Sequence, residues 1–352
     1  MTKEYSVNMI MDMANSLEGS GIYSSATRLI EGLKEYDFDV VLNGKKRTDI
    51  VHFQTALPQS CLKAMRYNAM RKKTHYKAPK IVMHGHTTVE DFVNSYLFSN
   101  QVKPILNRYL PYYYGLADRL IAVSEHNKNL LSGYGIPRER ISVVSNGIRL
   151  DSVKRDLKIR KAARLALNLK ESDTLIMGVG INIFRKGVDR FVNIAEQMSD
   201  SYRFIWPGIH LSPGLLAQSK ILKESYKKAK NNPRCTFPGY VSYKTLVALF
   251  NASDMFVYPT REENQGIAFL EAILYGKPAI ISDHPVFDEW KDGEHVLKAV
   301  SEEDFINKIE ILSKDLDLAK NLVQKASQQL DKHDLKHSIA KIAHIYEELL
   351  TD

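Results

Sequence analysis

Two glutamates, Glu263 and Glu271, flank a polar turn between a predicted strand and a predicted helix, a geometry that suits the binding of a phosphate. Tyr258 to Ala279, YPTREENQGIAFLEAILYGKPA, follows an apolar run, Asp254 to Val257, that predicts a strand. The chain then passes Gly266 and enters a pattern that puts Ile267, Leu270, Ile273 and Leu274 on one helical face. At the start of such a helix the backbone N–H groups have no intrahelical acceptor and carry the positive end of the peptide dipoles. An anionic leaving group can therefore sit at Gln265, Gly266 and Ile267. Glu263 lies just before the helix and Glu271 inside it, so one can face a sugar while the other reaches the hydroxyls of a ribose. The spacing alone does not decide this, because a charged helix face produces it without any ligand.

Other residues could also do chemistry. In Met83-His84-Gly85-His86-Thr87, at the end of a predicted strand, His84 and His86 point the same way, as a pair of metal ligands would. No further ligand of suitable spacing accompanies them, so no metal is expected there. Gly19-Ser20-Gly21 departs from the dinucleotide fingerprint in having serine at its last position, and is weak evidence for NAD. It reads equally as a loop that caps the helix after it. Cys61 and Cys235 are the only cysteines and form no CxxC, which fits a reducing compartment.

The elements that must position these groups alternate along the chain. In the first half, strands are expected at Ser6 to Met13, Phe38 to Leu42, Asp49 to Phe53, Lys80 to Met83, Leu120 to Val123 and Ile141 to Val144, with a helix over Ile22 to Tyr36. A charged stretch, Asp151 to Lys170, reads as a linker or a first helix. The alternation then restarts: strands at Thr174 to Gly180, Arg203 to Pro207, Thr236 to Tyr240, Met255 to Tyr258 and Ala279 to Ser282, with helices over Gly187 to Met198, Leu215 to Ala229 and Ser242 to Ala252. This is the pattern of an α/β chain with parallel sheets covered on both faces. With 352 residues the chain exceeds what one core supports, and two doubly wound halves are expected, with ligands at the C-terminal ends of their strands.

Charge is unevenly placed. The net +8 comes almost wholly from residues 1–150, which hold 20 Lys and Arg against 13 Asp and Glu. Its densest part is Lys63 to Lys80, including Lys72 and Lys73, where basic residues alternate with Met, Tyr and Ala. A solvated helix face and attraction to an anionic membrane surface both account for this. Nucleic acid is not expected, since no helix-turn-helix, RNP or zinc-ligand pattern accompanies the charge. There is no signal-peptide pattern at the start of the sequence, and no segment reaches the roughly 20 apolar residues needed to cross a bilayer.

Glu263, seven residues, then Glu271 followed by Ala272 and a Gly-Lys-Pro turn resembles the paired-glutamate motif of the retaining glycosyltransferases of family four. LFNASDMFVYPT before it and AIISDHPVFDEWKDGEHVL after it are similar to the segments flanking that motif. The resemblance implies the GT-B architecture: an acceptor-binding Rossmann-like domain over 1–148, a nucleotide-sugar domain over 149–336, and a closing helix, 337–352, that crosses back onto the first.

The resemblance also implies roles. Glu263 positions donor-sugar hydroxyls, Glu271 holds the ribose, and His86 contacts the donor sugar near its reacting centre, while His84 faces either the core or the acceptor. Gly19 and Gly21 approach the donor phosphates. Lys186, in Phe184-Arg185-Lys186-Gly187, neutralises the departing diphosphate. The arginine many members carry five residues earlier is Ile181 here, which leaves Arg185 as the alternative cation. Tyr240 lies beside the nucleotide base. Glu90 to Ser95, with Asn94, resembles part of the acceptor domain of glycolipid-making members; ordinary packing explains that segment equally well. The activity implied is hexose transfer from UDP-glucose or UDP-galactose to a glycolipid or diacylglycerol, without an essential metal, on the cytoplasmic face of the membrane. A soluble or cell-surface polysaccharide acceptor, a nucleotide-sugar epimerase and a non-enzymatic membrane protein are the alternatives.

Overall fold

The computed structural model describes residues 5–14, 21–73, 78–93, 95, 99–153, 155–209 and 220–351, without the side chains of residues 72, 73 and 220. It divides into two compact units, one of Met1–Phe92, Gln101–Arg149 and Lys332–Asp352, the other of Val93–Asn100 and Leu150–Asp331.

In the first unit, strands β1 (Tyr5–Ile10), β2 (Phe38–Leu42), β3 (Ile50–Phe53), β4 (Lys80–His84), β5 (Arg119–Ala122) and β6 (Ile141–Val143) form a parallel sheet in the order β2-β1-β3-β4-β5-β6. The near-continuous burial of β3 and β4 is that of central strands covered on both faces. The first strand ends at Ile10, short of the expected Met13, because Asp12 and Met13 turn away and Met13 takes a positive φ of 59°. The first helix covers Gly21–Leu33, and the rest of its expected span, Lys34–Tyr36, is a 3-10 turn closed by Asp37 in the left-handed region. The last helix begins at Leu335, two residues before the expected start. It lays Leu335, Ile339, Ile342, Ala343, Tyr346 and Leu349 into the core formed with Val7, Val40, Ile50 and Val82.

The second unit repeats the plan. Strands β7 (Thr174–Met177), β8 (Tyr202–Pro207), β9 (Cys235–Gly239), β10 (Met255–Tyr258), β11 (Ala279–Ser282) and β12 (Leu297–Ala299) run in the order β12-β11-β10-β7-β8-β9, and every pairing between neighbours is parallel. The switch in direction of winding falls between β7 and β10, so the loops leaving these two neighbouring strands emerge side by side. Part of the charged stretch after residue 150 is a helix, Leu157–Ala166, capped by Asp156. Its Arg160 and Arg164 both pair with Asp254 at the foot of β10, which gives Asp254 a structural role. The helix expected over 215–229 is described from Lys220, and its beginning lies outside the described residues.

Candidate active site

Beyond β7 the chain makes a 3-10 turn, Phe184–Lys186, and reverses at Gly187 into the helix Val188–Gln197. Gly187 has φ 72°, and a Cβ there would fall 2.0 Å from the carbonyl oxygen of Pro259, so only glycine allows this approach. Pro259 opens the loop after β10, and the two loops are clasped along their length. The Arg185 carbonyl accepts from the Arg261 amide at 2.6 Å and from Thr260 Oγ1 at 3.0 Å. The Arg261 guanidinium lies over the Phe184 ring, donates to the Phe184 carbonyl at 2.8 Å, and grips both oxygens of buried Asp189 at 2.7 and 2.6 Å. A two-pronged contact of this kind fixes orientation as well as adding energy.

The clasp brings Lys186 to Glu263. The ammonium pairs directly with Glu263 Oε2 and donates to the Tyr258 hydroxyl at 2.8 Å; that hydroxyl in turn donates to the same carboxylate oxygen at 2.5 Å. Glu263 Oε1 accepts from the Asn264 amide at 3.1 Å. Burial alone would push the carboxyl pKa up. The Lys186 charge, the Arg185 charge and the hydrogen bonds from Lys186 and Tyr258 outweigh it and hold Glu263 down at about 2. At neutral pH Glu263 is therefore an acceptor with no proton to give. It can receive hydrogen bonds from hydroxyl groups, but it is no general acid.

Just beyond, Gly266 takes φ 83° as the cap of the helix Ile267–Leu274, where a Cβ would meet the Phe287 ring at 3.0 Å. Its carbonyl accepts from the Phe269 and Leu270 amides, which starts the helix. Gln265 is buried with Asn264 ahead of this start, Ile267 is half-buried, and Glu271 is half-buried about one turn in. Arg185 reaches the Glu262 carbonyl at 3.3 Å. Tyr240 follows β9 and is 64% exposed, an aromatic face available for stacking.

In the first unit His84 and His86 sit at and just beyond the C-terminal end of β4 with their rings stacked, centroids 4.5 Å apart. His84 is buried, 4% exposed. Burial holds both imidazoles neutral: it drives His84 well below the usual histidine range, with help from His86 and His52, and brings His86 down to about 4. Gly21 begins the first helix. Gly19, Asn94 and the side chains of Lys72 and Lys73 lie outside the described residues.

Sequence reasoning missed three members of the second unit's site. Tyr258 carried a signal, since a tyrosine ending a buried strand needs a partner for its hydroxyl. Arg261 and Asp189 carried none, being ordinary charged residues 72 positions apart.

The family model for group 1 glycosyl transferases matches residues 160–329, and the Glycosyltransferase Family 4 model matches residues 13–152. A processive diacylglycerol alpha-glucosyltransferase of Acholeplasma laidlawii is 30% identical over 296 residues, covering 84% of each chain. An alpha-galactosylglucosyldiacylglycerol synthase of Streptococcus pneumoniae is 26% identical over 81% of this chain and 73% of its own. Among solved structures, Anabaena HepE in complex with UDP and glucose superposes with a TM-score of 0.80 at 14% identity, covering 98% of this chain and 100% of its own, and so has the same two-sheet GT-B fold. With both family models matched and a 30% identical relative spanning most of its length, the chain belongs to the family 4, group 1 glycosyltransferases and is a glycosyltransferase itself.

Proposed function

We propose that the protein transfers a hexose, glucose or galactose, from a UDP-sugar to a hydroxyl of diacylglycerol or a glycosyl-diacylglycerol, with retention of anomeric configuration. The observation that carries the donor side is the clasp of Lys186 to Glu263 beside the helix that starts after Gly266. The diphosphate lies against the amide groups at Gln265, Gly266 and Ile267, and Lys186 and Arg185 meet the negative charge that grows on it as the sugar leaves. Glu263, charged and buried, receives donor-sugar hydroxyls, and Glu271 receives those of the ribose. His86 is assigned to the donor sugar, and Tyr240 to stacking at the base. The acceptor hydroxyl gives its proton to the leaving phosphate oxygen on the same face of the sugar. Charge neutralisation is assigned to the chain's own cations and helix start, so no metal is needed in this reading.

Two relatives named for diacylglycerol glycolipids support the acceptor. The surface of the helix Pro58–Lys73 supports a membrane location, with Leu62 66% and Met65 40% exposed beside Arg66, which is exposed too. Apolar side chains among cations suit the boundary of an anionic bilayer, where each basic residue contributes about 1 kcal/mol. No helix among the described residues is long and apolar enough to cross a membrane, and peripheral attachment at the cytoplasmic face is proposed.

The test is incubation with radiolabelled UDP-glucose or UDP-galactose and vesicles containing diacylglycerol, with NMR of the extracted product. An α-linked glycolipid is expected. Label transfer only to a soluble saccharide would replace the acceptor, and sugar epimerisation without transfer would overturn the reading.

A further inference from the structure

A buried polar row in the first unit starts on the C-terminal helix and ends at His86. The Tyr346 hydroxyl lies 2.5 Å from His52 Nδ1; His52 Nε2 lies 2.8 Å from His84 Nδ1. Gln54 Nε2 lies 3.2 Å from the same His84 Nδ1, and Gln54 Oε1 lies 3.2 Å from His86 Nε2. The His52 and His84 rings are stacked at 4.8 Å and 6°, those of His84 and His86 at 4.5 Å and 4°.

The positions of the protons follow from which atoms can donate. Tyr346 is fully buried, and among the described residues its hydroxyl has no acceptor except His52 Nδ1. It donates there, because a buried hydroxyl proton without an acceptor costs about 1–3 kcal/mol. His52 then carries its hydrogen on Nε2 and donates to His84 Nδ1, which leaves His84 protonated on Nε2. An accepting His84 Nδ1 would repel the Gln54 oxygen, so the amide turns its nitrogen there, sharing the one lone pair as the longer branch of a three-centre contact, and in the same orientation reaches Met9 Sδ at 3.0 Å. Gln54 Oε1 is thereby an acceptor, and among the described residues the donor that faces it is an Nε2–H on His86. The reverse order would strand the phenolic proton and aim the Gln54 oxygen at sulfur.

We propose that Tyr346 is a positioning residue for His86. Acting through His52, His84 and Gln54, it fixes His86 as the Nε2–H tautomer, with the lone pair on Nδ1. Its value to the reaction rests on the proposed placing of His86 at the donor sugar, where the tautomer decides which ring nitrogen carries a proton and which can accept one. The proton order itself does not depend on that placing.

Site-assigned long-range 1H–15N spectra of the 15N-histidine-labelled full chain at pH 7, with and without UDP-glucose, test this. His52, His84 and His86 are each expected as neutral Nε2–H tautomers, and Tyr346→Phe, which keeps the ring and removes the phenolic proton, should move His86 to a mixture of tautomers and lower kcat several-fold. A wild-type His86 with its hydrogen on Nδ1 overturns the proposal without any variant, so a Tyr346→Phe protein that fails to fold does not shelter it. A folded Tyr346→Phe protein whose His86 tautomer is unchanged overturns it too. If the tautomers are as stated and shift in Tyr346→Phe, while UDP-glucose leaves the His86 Nδ1 resonance unmoved, the proton order stands and the donor-site placing of His86 falls.

Discussion

Lys186 and Glu263, 77 residues apart in sequence, are joined by a direct ion pair and by the Tyr258 hydroxyl that both contact. The cation assigned to the diphosphate is thus held by the carboxylate assigned to the sugar. The two groups neutralise each other in a nearly closed space, where either alone would be costly.

Removing one partner should therefore harm stability as well as activity. Lys186→Ala takes the direct ion partner from a buried carboxylate and leaves it only the Arg185 charge and the Tyr258 hydroxyl, a loss of up to about 3–5 kcal/mol. Turnover should drop tenfold or more for loss of a charged contact in the transition state. In Lys186→Ala/Glu263→Gln the stability penalty should be smaller than in Lys186→Ala alone. Thermal melts and steady-state kinetics of the single and double variants check both; additive losses of stability would contradict the coupling.

Glu271 lies outside this pair, half-buried on the helix. Glu271→Gln should lower turnover about tenfold, because it removes a charged ligand contact while keeping the size and hydrogen-bonding capacity of the side chain. A large drop in melting temperature with unchanged kinetics would assign Glu271 to the fold instead.

Gly187→Ala places a methyl group 2.0 Å from the Pro259 carbonyl, at a φ of 72°. The left-handed backbone costs roughly 1–2 kcal/mol for any residue with a Cβ, before the clash is counted. Spreading the loops should separate Lys186 from Glu263, so nucleotide binding measured by calorimetry should weaken together with stability. Retained affinity in a destabilised Gly187→Ala protein would show that the clasp does not shape the pocket.

Acid should destabilise the protein in two stages. His86, brought from 6.5 to about 4 in the folded state, and His84, shifted in the same direction, stay neutral while their unfolded counterparts gain protons. Unfolding then takes up protons as pH falls from 6.5 towards 4, and stability declines over that window. Glu263, brought from 4.5 to about 2, adds a second loss between those values. Each group contributes a slope of up to about 1.4 kcal/mol per pH unit. Denaturant titrations from pH 7 to 4 check the first stage; a flat profile down to pH 5 would argue against buried neutral histidines.

Leu62→Asp/Met65→Asp should reduce sedimentation of the protein with anionic vesicles severalfold, and high salt should weaken wild-type binding because exposed charges are screened. Equal partitioning with neutral and anionic vesicles would count against the membrane surface.

Much of this was legible in the chain itself. The strand, turn and helix around Gly266 are local, so apolar periodicity and one glycine revealed them, and the alternation of strands and helices gave both sheets. What stayed hidden was tertiary. Tyr258 ends a buried strand, but nothing nearby in sequence says that its hydroxyl binds Glu263. Asp189 and Arg261 meet only because β7 and β10 are neighbours. His52 reads as one more residue of an apolar strand, and its bond to Tyr346 spans 294 positions. The burial of His84 likewise depends on neighbours distant in sequence, such as His52. Strand ends shifted where a single residue, such as Met13, left the extended region.

The grip of Arg261 on Asp189 and on the Phe184 ring makes two loops into one wall. Little chain entropy is then left to lose when a nucleotide docks against that wall, so affinity is not drained by ordering. If the donor binds as proposed, choice among sugar nucleotides falls to exposed side chains such as the ring of Tyr240, which can be exchanged without disturbing what lies beneath.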